Sequence, residues 1–307
     1  MTTGKRQRRL HLAAWEEFDF YLGISPWLIG FLFFTGGPIL ASLGISFTEW
    51  KLLTPPQWVG LDNYVRLFSR DPLFWVTLGN TAYYTLFSVP LSVLVALLMA
   101  VLVNQDVPGV NFVRTIFYLP SVTAGVAGGL LWLWIFNPEF GLLNYGLSLL
   151  GIQGPGWLVS QQWAKPALIL MSLWSVGGGM VIFLAGLQGL PRHLYDAARI
   201  DGATTWQEFR HLTVPLLTPV IFFMIVVSTI SSFQTFTNVY VMTRGGPGTA
   251  TLLYSLYLYE NAFEFLKMGY ASALAWVLFV VILLLTIAQF GLSRRWVYYE
   301  GDLRQVR

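Results

Sequence analysis

Residues 80–103 read NTAYYTLFSVPLSVLVALLMAVLV, a stretch with no charged side chain. It exceeds the ~20 mainly apolar residues that a helix needs to cross the hydrocarbon core of a bilayer. Five further segments share this character, near 26–48, 114–136, 166–189, 215–238 and 270–292, with the run just quoted lying inside a segment 79–103. In lipid, backbone amides must be satisfied within the chain, and apolar runs of this length achieve that as helices. The expected fold is all-α: a polytopic membrane bundle of about six transmembrane helices. Only 11% of the residues are charged, less than half of the roughly 25% usual in a soluble domain.

Lys and Arg set the orientation. With the N-terminus inside, twelve of the eighteen cations fall on the inner side, and Lys51, Arg66, Arg70, Lys165, Arg244 and Lys267 fall outside. The positive-inside rule then places both termini in the cytoplasm. The N-terminal run from Pro26 to Phe47 has basic residues before it but no small-residue cleavage site after a short core, so it reads as an uncleaved first span. The organisation expected is a cytoplasmic segment 1–25, a membrane domain 26–292, and a cytoplasmic tail 293–307. Two outer segments, 49–78 and 137–165, carry Trp and Tyr among apolar residues and read as short interfacial helices. Gly clusters at 125–129 and 177–179 lower helix propensity in water but permit close helix approach in lipid.

Composition also removes several chemistries. There is no cysteine, hence no disulfide, thiol nucleophile or Cys-bound zinc. No GxxxxGK[ST] loop is present to cradle a nucleotide, and no His/Asp/Glu cluster has metal-ligand spacing. The net charge of +3 is spread between apolar runs rather than along a basic face with interleaved aromatics, so nucleic acid is not an expected partner. No serine has a credible catalytic partner; the chain is expected to be non-catalytic.

One inner segment is unlike a plain connection. Between the fourth and fifth spans, residues 190–214 contain RHLYDAARIDGATTWQEFRHLTV. Pro191 suits a first helical position, Gly202 permits a sharp turn, and Thr205 with Glu208 has capping-box spacing for a second helix. Ala197, Ala198 and Ala203 leave little bulk around the turn. Asp196 and Asp201 offer carboxylates to a partner's Arg or Lys, while Trp206 and Phe209 are placed to brace the hairpin. A capped knob of this shape suits docking into a cleft of a soluble protein.

Residues 196–217, DAARIDGATTWQEFRHLTVPLL, resemble the EAA loop of binding-protein-dependent ABC importer permeases. That pattern runs Glu-Ala-Ala, two residues, Asp-Gly-Ala, five residues, Phe, and an apolar-Pro close. Ala197, Ala198, Asp201, Gly202, Ala203, Phe209 and Pro215 match it, and Asp196 stands where the pattern has Glu. Further stretches at 37–50, 112–144 and 238–263 resemble the carbohydrate-uptake branch, closest to the first of its two permeases, the maltose-type or glycerol-phosphate-type subunit. The resemblance implies a permease of a prokaryotic cytoplasmic (inner) membrane. It also implies four partners: a second homologous permease forming a heterodimer, an ABC ATPase dimer that receives the hairpin, an extracytoplasmic solute-binding protein, and a sugar. ATP and Mg are then expected on the ATPase, with no cofactor on this chain.

A substrate path is expected on two stripes. Ser228, Ser232 and Thr235 are spaced i, i+4 and i+7 in the fifth span, beside Ser231, and Met171, Trp174 and Ser175 follow helical spacing in the fourth. Hydroxyls with an aromatic surface suit a sugar, and the absence of cations from these stripes favours an uncharged one. Ser and Thr also serve ordinary helix packing in membranes, so the pattern alone does not decide between the two uses. The competing functions are a gradient-driven secondary transporter and a channel. The first usually needs intramembrane ionisable groups, which the interiors of spans two to six lack.

Overall fold

A computed structural model describes residues 19–298 apart from Asp106 and Ala124. The basic N-terminal residues and the end of the tail lie outside these described residues.

The chain is helical almost throughout. It opens with α1 (Asp19–Ser46), then a hairpin of two-residue strands, β1 (Thr48–Glu49) and β2 (Gln57–Trp58), and α2 (Asp62–Ser69). There follow α3 (Pro72–Val103), α4 (Val110–Val122), α5 (Gly125–Ile135), α6 (Leu142–Leu149), α7 (Ala164–Ser175) and α8 (Gly177–Gln188). The remainder is α9 (Arg192–Ile200), α10 (Thr205–Leu216), α11 (Thr218–Phe233), α12 (Thr237–Met242), α13 (Tyr254–Tyr259) and α14 (Met268–Ser293).

Three helices, α1, α3 and α14, are individually long and apolar enough to cross a membrane. The other three apolar segments are bent rather than straight: α4 and α5 meet at 100°, α7 and α8 at 49°, and α10 and α11 at 62°. The expectation of single helices over 114–136, 166–189 and 215–238 is corrected in this respect. The breaks fall where the sequence weakens a helix, at Pro120 with Gly125, at the Gly177 cluster, and at Pro215 with Pro219. By length and composition there are up to six spans, if each bent pair counts as one. Of the two interfacial segments, 137–165 contains α6 as expected. The other is helical only from Asp62, because its Thr-Pro-Pro start is taken up by the β-hairpin.

The chain divides into two compact units. One runs up to Arg66 and includes Asn261–Trp276; the other is Leu67–Glu260 with the residues from Val277 onward. In the first unit the end of α1 is fastened locally. Asn63 Nδ2 donates to the Ser46 and Thr48 carbonyls at 2.8 and 2.9 Å, and Ser46 Oγ lies 2.8 Å from Tyr64 Oη. Phe47 sits between Trp58 and Tyr64, each ring centroid 5.6 Å away. Glu49 and Lys51 pair at 2.8 Å, and the ammonium holds the Glu49 carboxyl below the usual carboxylate range.

The second unit is organised around α3. Asp71 caps it by accepting from Leu73 N–H at 3.0 Å, and Pro72 occupies the first turn, where no amide donor is missed. Its buried stripe runs from Phe74 through Thr77, Asn80, Thr81, Tyr84, Thr85 and Ser88 to Val93, Leu97 and Ala100. The opposite face, including Leu86, Leu91, Leu94 and Leu102, is exposed. Polar residues thus turn inward and leucines outward, the reverse of a soluble helix, because hydrocarbon solvates the leucines while hydroxyls need partners. The half of this stripe toward Val103 packs with Val176, Met180, Phe183, Leu187, Leu217 and Met224. Gly177 allows α8 to approach α4: a β-carbon there would collide with the Phe117 carbonyl.

Candidate functional site: a capped hairpin and a hydroxyl-lined cavity

The hairpin between α8 and α11 is built from local backbone motifs. Pro191 lies one residue outside the helix expected to begin with it; its carbonyl accepts the first helical bond, from Leu194 N–H at 3.3 Å. At the other end of α9, Gly202 adopts φ +79°, the left-handed conformation that a side chain disfavours. Gly202 N–H donates to the Arg199 carbonyl at 3.1 Å and Ala203 N–H to the Ala198 carbonyl at 2.9 Å. That pair of bonds is a Schellman close.

The next helix starts with a capping box formed by Thr204 and Gln207, which corrects the Thr205/Glu208 assignment by one residue. Thr204 N–H donates to Gln207 Oε1 at 2.7 Å, and Gln207 N–H returns to Thr204 Oγ1 at 3.4 Å. Either register satisfied the S/T-x-x-E/Q spacing, and the Schellman turn decides between them because it leaves Thr204 extended. Glu208 is thereby free for another task. It is buried and accepts from Arg199 Nε at 3.0 Å, joining the two arms, while Tyr195 Oη lies 3.0 Å from Thr213 Oγ1 at the base.

Of the residues matched to the EAA pattern, Asp196, Ala197, Asp201 and Gly202 are exposed, and Ala198, Ala203, Phe209 and Pro215 are half-buried. Trp206 stacks on Phe209 with ring centroids 5.7 Å apart, yet remains 67% exposed, and Ile200 is 87% exposed. These two apolar side chains give the knob a greasy surface that water does not favour. Behind the hairpin is an open cavity of about 840 Å³, lined by Arg192, Asp196, Arg199, Glu208 and Arg114 among others. Arg114 closes the end of α3 by donating to the Val103 carbonyl through Nε and Nη2 at 3.1 and 2.7 Å.

A second cavity, about 290 Å³, lies among α3, α7, α8 and α11. Its wall is unusually rich in hydroxyls: Ser88 and Ser92, Ser172 and Ser175, Ser228, Ser231 and Ser232, and Thr235. No Asp, Glu, Lys, Arg or His is among its lining residues. Several of these hydroxyls donate their proton backward to their own helix. Ser172 Oγ donates to the Ile169 carbonyl at 2.6 Å, Ser175 Oγ to Ser172 at 3.2 Å, and Thr235 Oγ1 to Ser231 at 3.4 Å. Such groups keep lone pairs for a ligand that donates. The Ser228 and Ser231 hydroxyls make no hydrogen bond within the described residues, so they can donate as well as accept.

The stripe Ser228, Ser232 and Thr235 is brought to this cavity, although Thr235 lies just beyond the end of α11. Within it Ser232 differs: it is buried and lies 2.8 Å from Thr85 Oγ1, so it ties α11 to α3. The stripe on the fourth segment is split. Ser175 lines the cavity, but Met171 is buried elsewhere, and Trp174 packs edge-on against Trp132 at 6.2 Å. A tight turn over Leu173–Ser175 and the bend into α8 rotate the three out of a common face. Ser88 and Ser92 escaped the sequence reading, although their i, i+4 spacing in a long apolar span was a usable signal.

Comparison with known proteins supplies the family. Residues 81–298 match the model of the binding-protein-dependent transport system inner membrane component. The chain is 46% identical over 285 residues to the probable ABC transporter permease protein YesP of Bacillus subtilis (strain 168), covering 92% of each chain. It is 35% identical over 287 to 295 residues to further permeases, among them the lactose transport system permease protein LacF of Rhizobium radiobacter, covering 93% of this chain and 97% of LacF. The fold superposes with a TM-score of 0.81 and 25% identity on a chain of the bacterial alginate ABC transporter in complex with an alginate pentasaccharide-bound periplasmic protein, covering 94% and 98% of the two chains. The helical fold is thus that of an ABC permease, and the chain belongs to the binding-protein-dependent transport system inner membrane component family.

Proposed function

We propose that this chain forms one half of the translocation pathway of an ATP-driven sugar importer, in a heterodimer with a second, related permease. The observation that carries the reading is the pairing of two features in one unit: a knob capped at both helix ends with an apolar tip, and a cavity walled by hydroxyls with no Asp, Glu, Lys, Arg or His in its lining. In this reading the hairpin from Pro191 to Thr213 seats in a groove of an ABC ATPase dimer, where ATP and Mg are bound. Closure of that dimer moves the hairpin as a rigid body, since the Arg199–Glu208 pair and the Tyr195–Thr213 contact lock its arms. The motion reaches α11 directly through α10, and α11 carries Ser228, Ser231 and Thr235 along the cavity wall. A solute-binding protein delivers the sugar on the side away from the ATPase, across a prokaryotic inner membrane that the chain crosses six times.

Sugar hydroxyls suit the wall because they both donate and accept, as its serines do. The lactose permease LacF and the alginate transporter, both carbohydrate importers by name, support the substrate class. With no Asp, Glu, Lys, Arg or His in its lining, the cavity lacks the acid or base side chains on which the proton relay of a gradient-driven carrier usually relies.

Purification from native membranes in mild detergent tests the proposal. An ATPase and a second permease are expected to co-purify in fixed ratio, and proteoliposomes holding that complex are expected to take up sugar only with ATP and the binding protein. A lone species conducting solute without ATP would overturn it.

A further inference from the structure

At the end of α11 remote from the hairpin, the chain leaves Thr235 on the cavity wall and enters an aromatic cluster. Phe236 and Tyr240 stack at 5.3 Å, and Tyr259 packs against both, at 4.7 and 5.4 Å. All three are only half-buried. The Arg244 guanidinium lies over the Tyr240 ring, 5.5 Å from its centroid, and the residue is exposed. No carboxylate pairs with Arg244 among the described residues.

The backbone at Arg244 has φ +48°, in the left-handed region. An arginine held there is strained in a way that a glycine would not be, and Gly245, at φ +83°, shows the next position using glycine. The loop does not relax this. Thr251 Oγ1 lies 2.6 Å from the Gly246 carbonyl, and Asn80 Nδ2 donates to the Thr249 and Leu252 carbonyls at 2.8 and 3.1 Å. Lys165 Nζ donates to Asn80 Oδ1 at 3.0 Å, so a second cation without a carboxylate partner is tied to the same loop. A strained residue in an otherwise satisfied loop points to use of its side chain.

Resting on the importer reading, we propose that Arg244 with the Phe236, Tyr240 and Tyr259 cluster forms an entry subsite for an acidic sugar unit. The rings offer an apolar surface to the C–H face of a pyranose, and the guanidinium offers a planar fork that matches a carboxylate. The unit then passes to the neutral hydroxyl wall that begins at Thr235. In place of the uncharged sugar suggested by the two stripes, this chain selects for a carboxylate at the mouth of the path and hydroxyls within it.

The test uses the complete importer with its binding protein in proteoliposomes. A panel of neutral disaccharides and of uronate disaccharides, each uronate paired with the same sugar reduced to its alcohol, is screened for binding-protein affinity and ATP-dependent uptake. The expected result is uptake of a uronate sugar, lowered about tenfold in Arg244→Gln and retained to at least a third in Arg244→Lys. Arg244→Gly relieves the backbone and controls for folding; it is expected to be as stable as the parent yet as impaired as Arg244→Gln. Uptake of neutral sugars alone would overturn the subsite and leave the importer reading intact. Equal loss for every sugar, together with weaker binding of the loaded binding protein to the importer in nanodiscs, would overturn it in favour of protein docking. No ATP-dependent uptake of any sugar by the parent would instead sink the importer reading, and the subsite with it.

Discussion

The hairpin and the hydroxyl-lined cavity lie in the same unit but are built in opposite ways. Every contact that shapes the hairpin joins residues fewer than twenty positions apart: the Schellman turn at Gly202, the Thr204–Gln207 box, the Arg199–Glu208 pair and the Tyr195–Thr213 contact. The cavity wall joins Thr85 to Ser232 across 147 positions, and Gly179 to both Ala96 and Met224. The hairpin is therefore a stiff local module with an exposed tip, whereas the cavity exists only when four helices are in register. Substitutions should separate the two by what they disturb, coupling in the first case and packing or affinity in the second.

The largest effect is expected from Gly202→Asp. A β-carbon there meets open space within the chain, so folding loses only the cost of a non-glycine residue at positive φ. The added carboxylate, however, stands on the exposed turn that is proposed to meet the ATPase. ATP-driven uptake is expected to fall at least tenfold while the subunit still inserts, as read by transport against membrane yield. Normal uptake would break the comparison by removing the hairpin from coupling.

Gly179→Leu comes next and should behave in the opposite manner. Its β-carbon alone would lie 2.9 Å from Met224 Cε and 3.2 Å from Ala96 Cβ. Overpacking of this kind costs about 1–3 kcal/mol, so thermal unfolding in detergent should shift downward and uptake should fall with it. A variant as stable as the parent would mean that the cavity wall adapts more freely than its packing suggests.

Smaller and more selective effects are expected within the wall itself. Ser228→Ala and Ser231→Ala remove hydroxyls that have no partner among the described residues, and each should raise the KM for sugar about threefold to tenfold without lowering stability. Ser232→Ala removes a buried link to Thr85, so it should cost stability, by about 0.6 kcal/mol. If all three behaved alike, the distinction between ligand-facing and helix-joining hydroxyls would fail. The smallest effect is expected from a protonophore. Uptake in ATP-loaded proteoliposomes should be unchanged, since no Asp, Glu, Lys, Arg or His lines the cavity. A collapse on adding it would revive a gradient-driven carrier.

The pattern of what was legible follows the same division. The charge and glycine spacing of residues 196–215 exposed the hairpin; its first helix starts one residue after Pro191, and the capping register slipped by one residue because two candidate pairs shared the same spacing. Ser228, Ser232 and Thr235 were legible as a stripe because α11 is regular almost to its end. Met171, Trp174 and Ser175 were not, because a single tight turn at Leu173–Ser175 undoes helical periodicity without leaving a mark in hydropathy. Ser88 and Ser92 were passed over since serines in a long apolar span also serve packing; their place on the wall depends on which side of α3 faces α11.

Hydropathy, turn chemistry and charge act between near neighbours, and through them the sequence by itself determined the helical membrane class, the six apolar segments, the hairpin and, with no cysteine, the lack of thiol chemistry. Only the tertiary structure decided where three of those segments bend, which serines share a cavity, that Ser232 joins helices while Ser228 and Ser231 remain open, and that Arg244 is held at positive φ over Tyr240. These outcomes depend on contacts between residues far apart in the chain, whose geometry is set by helix packing rather than by any local pattern.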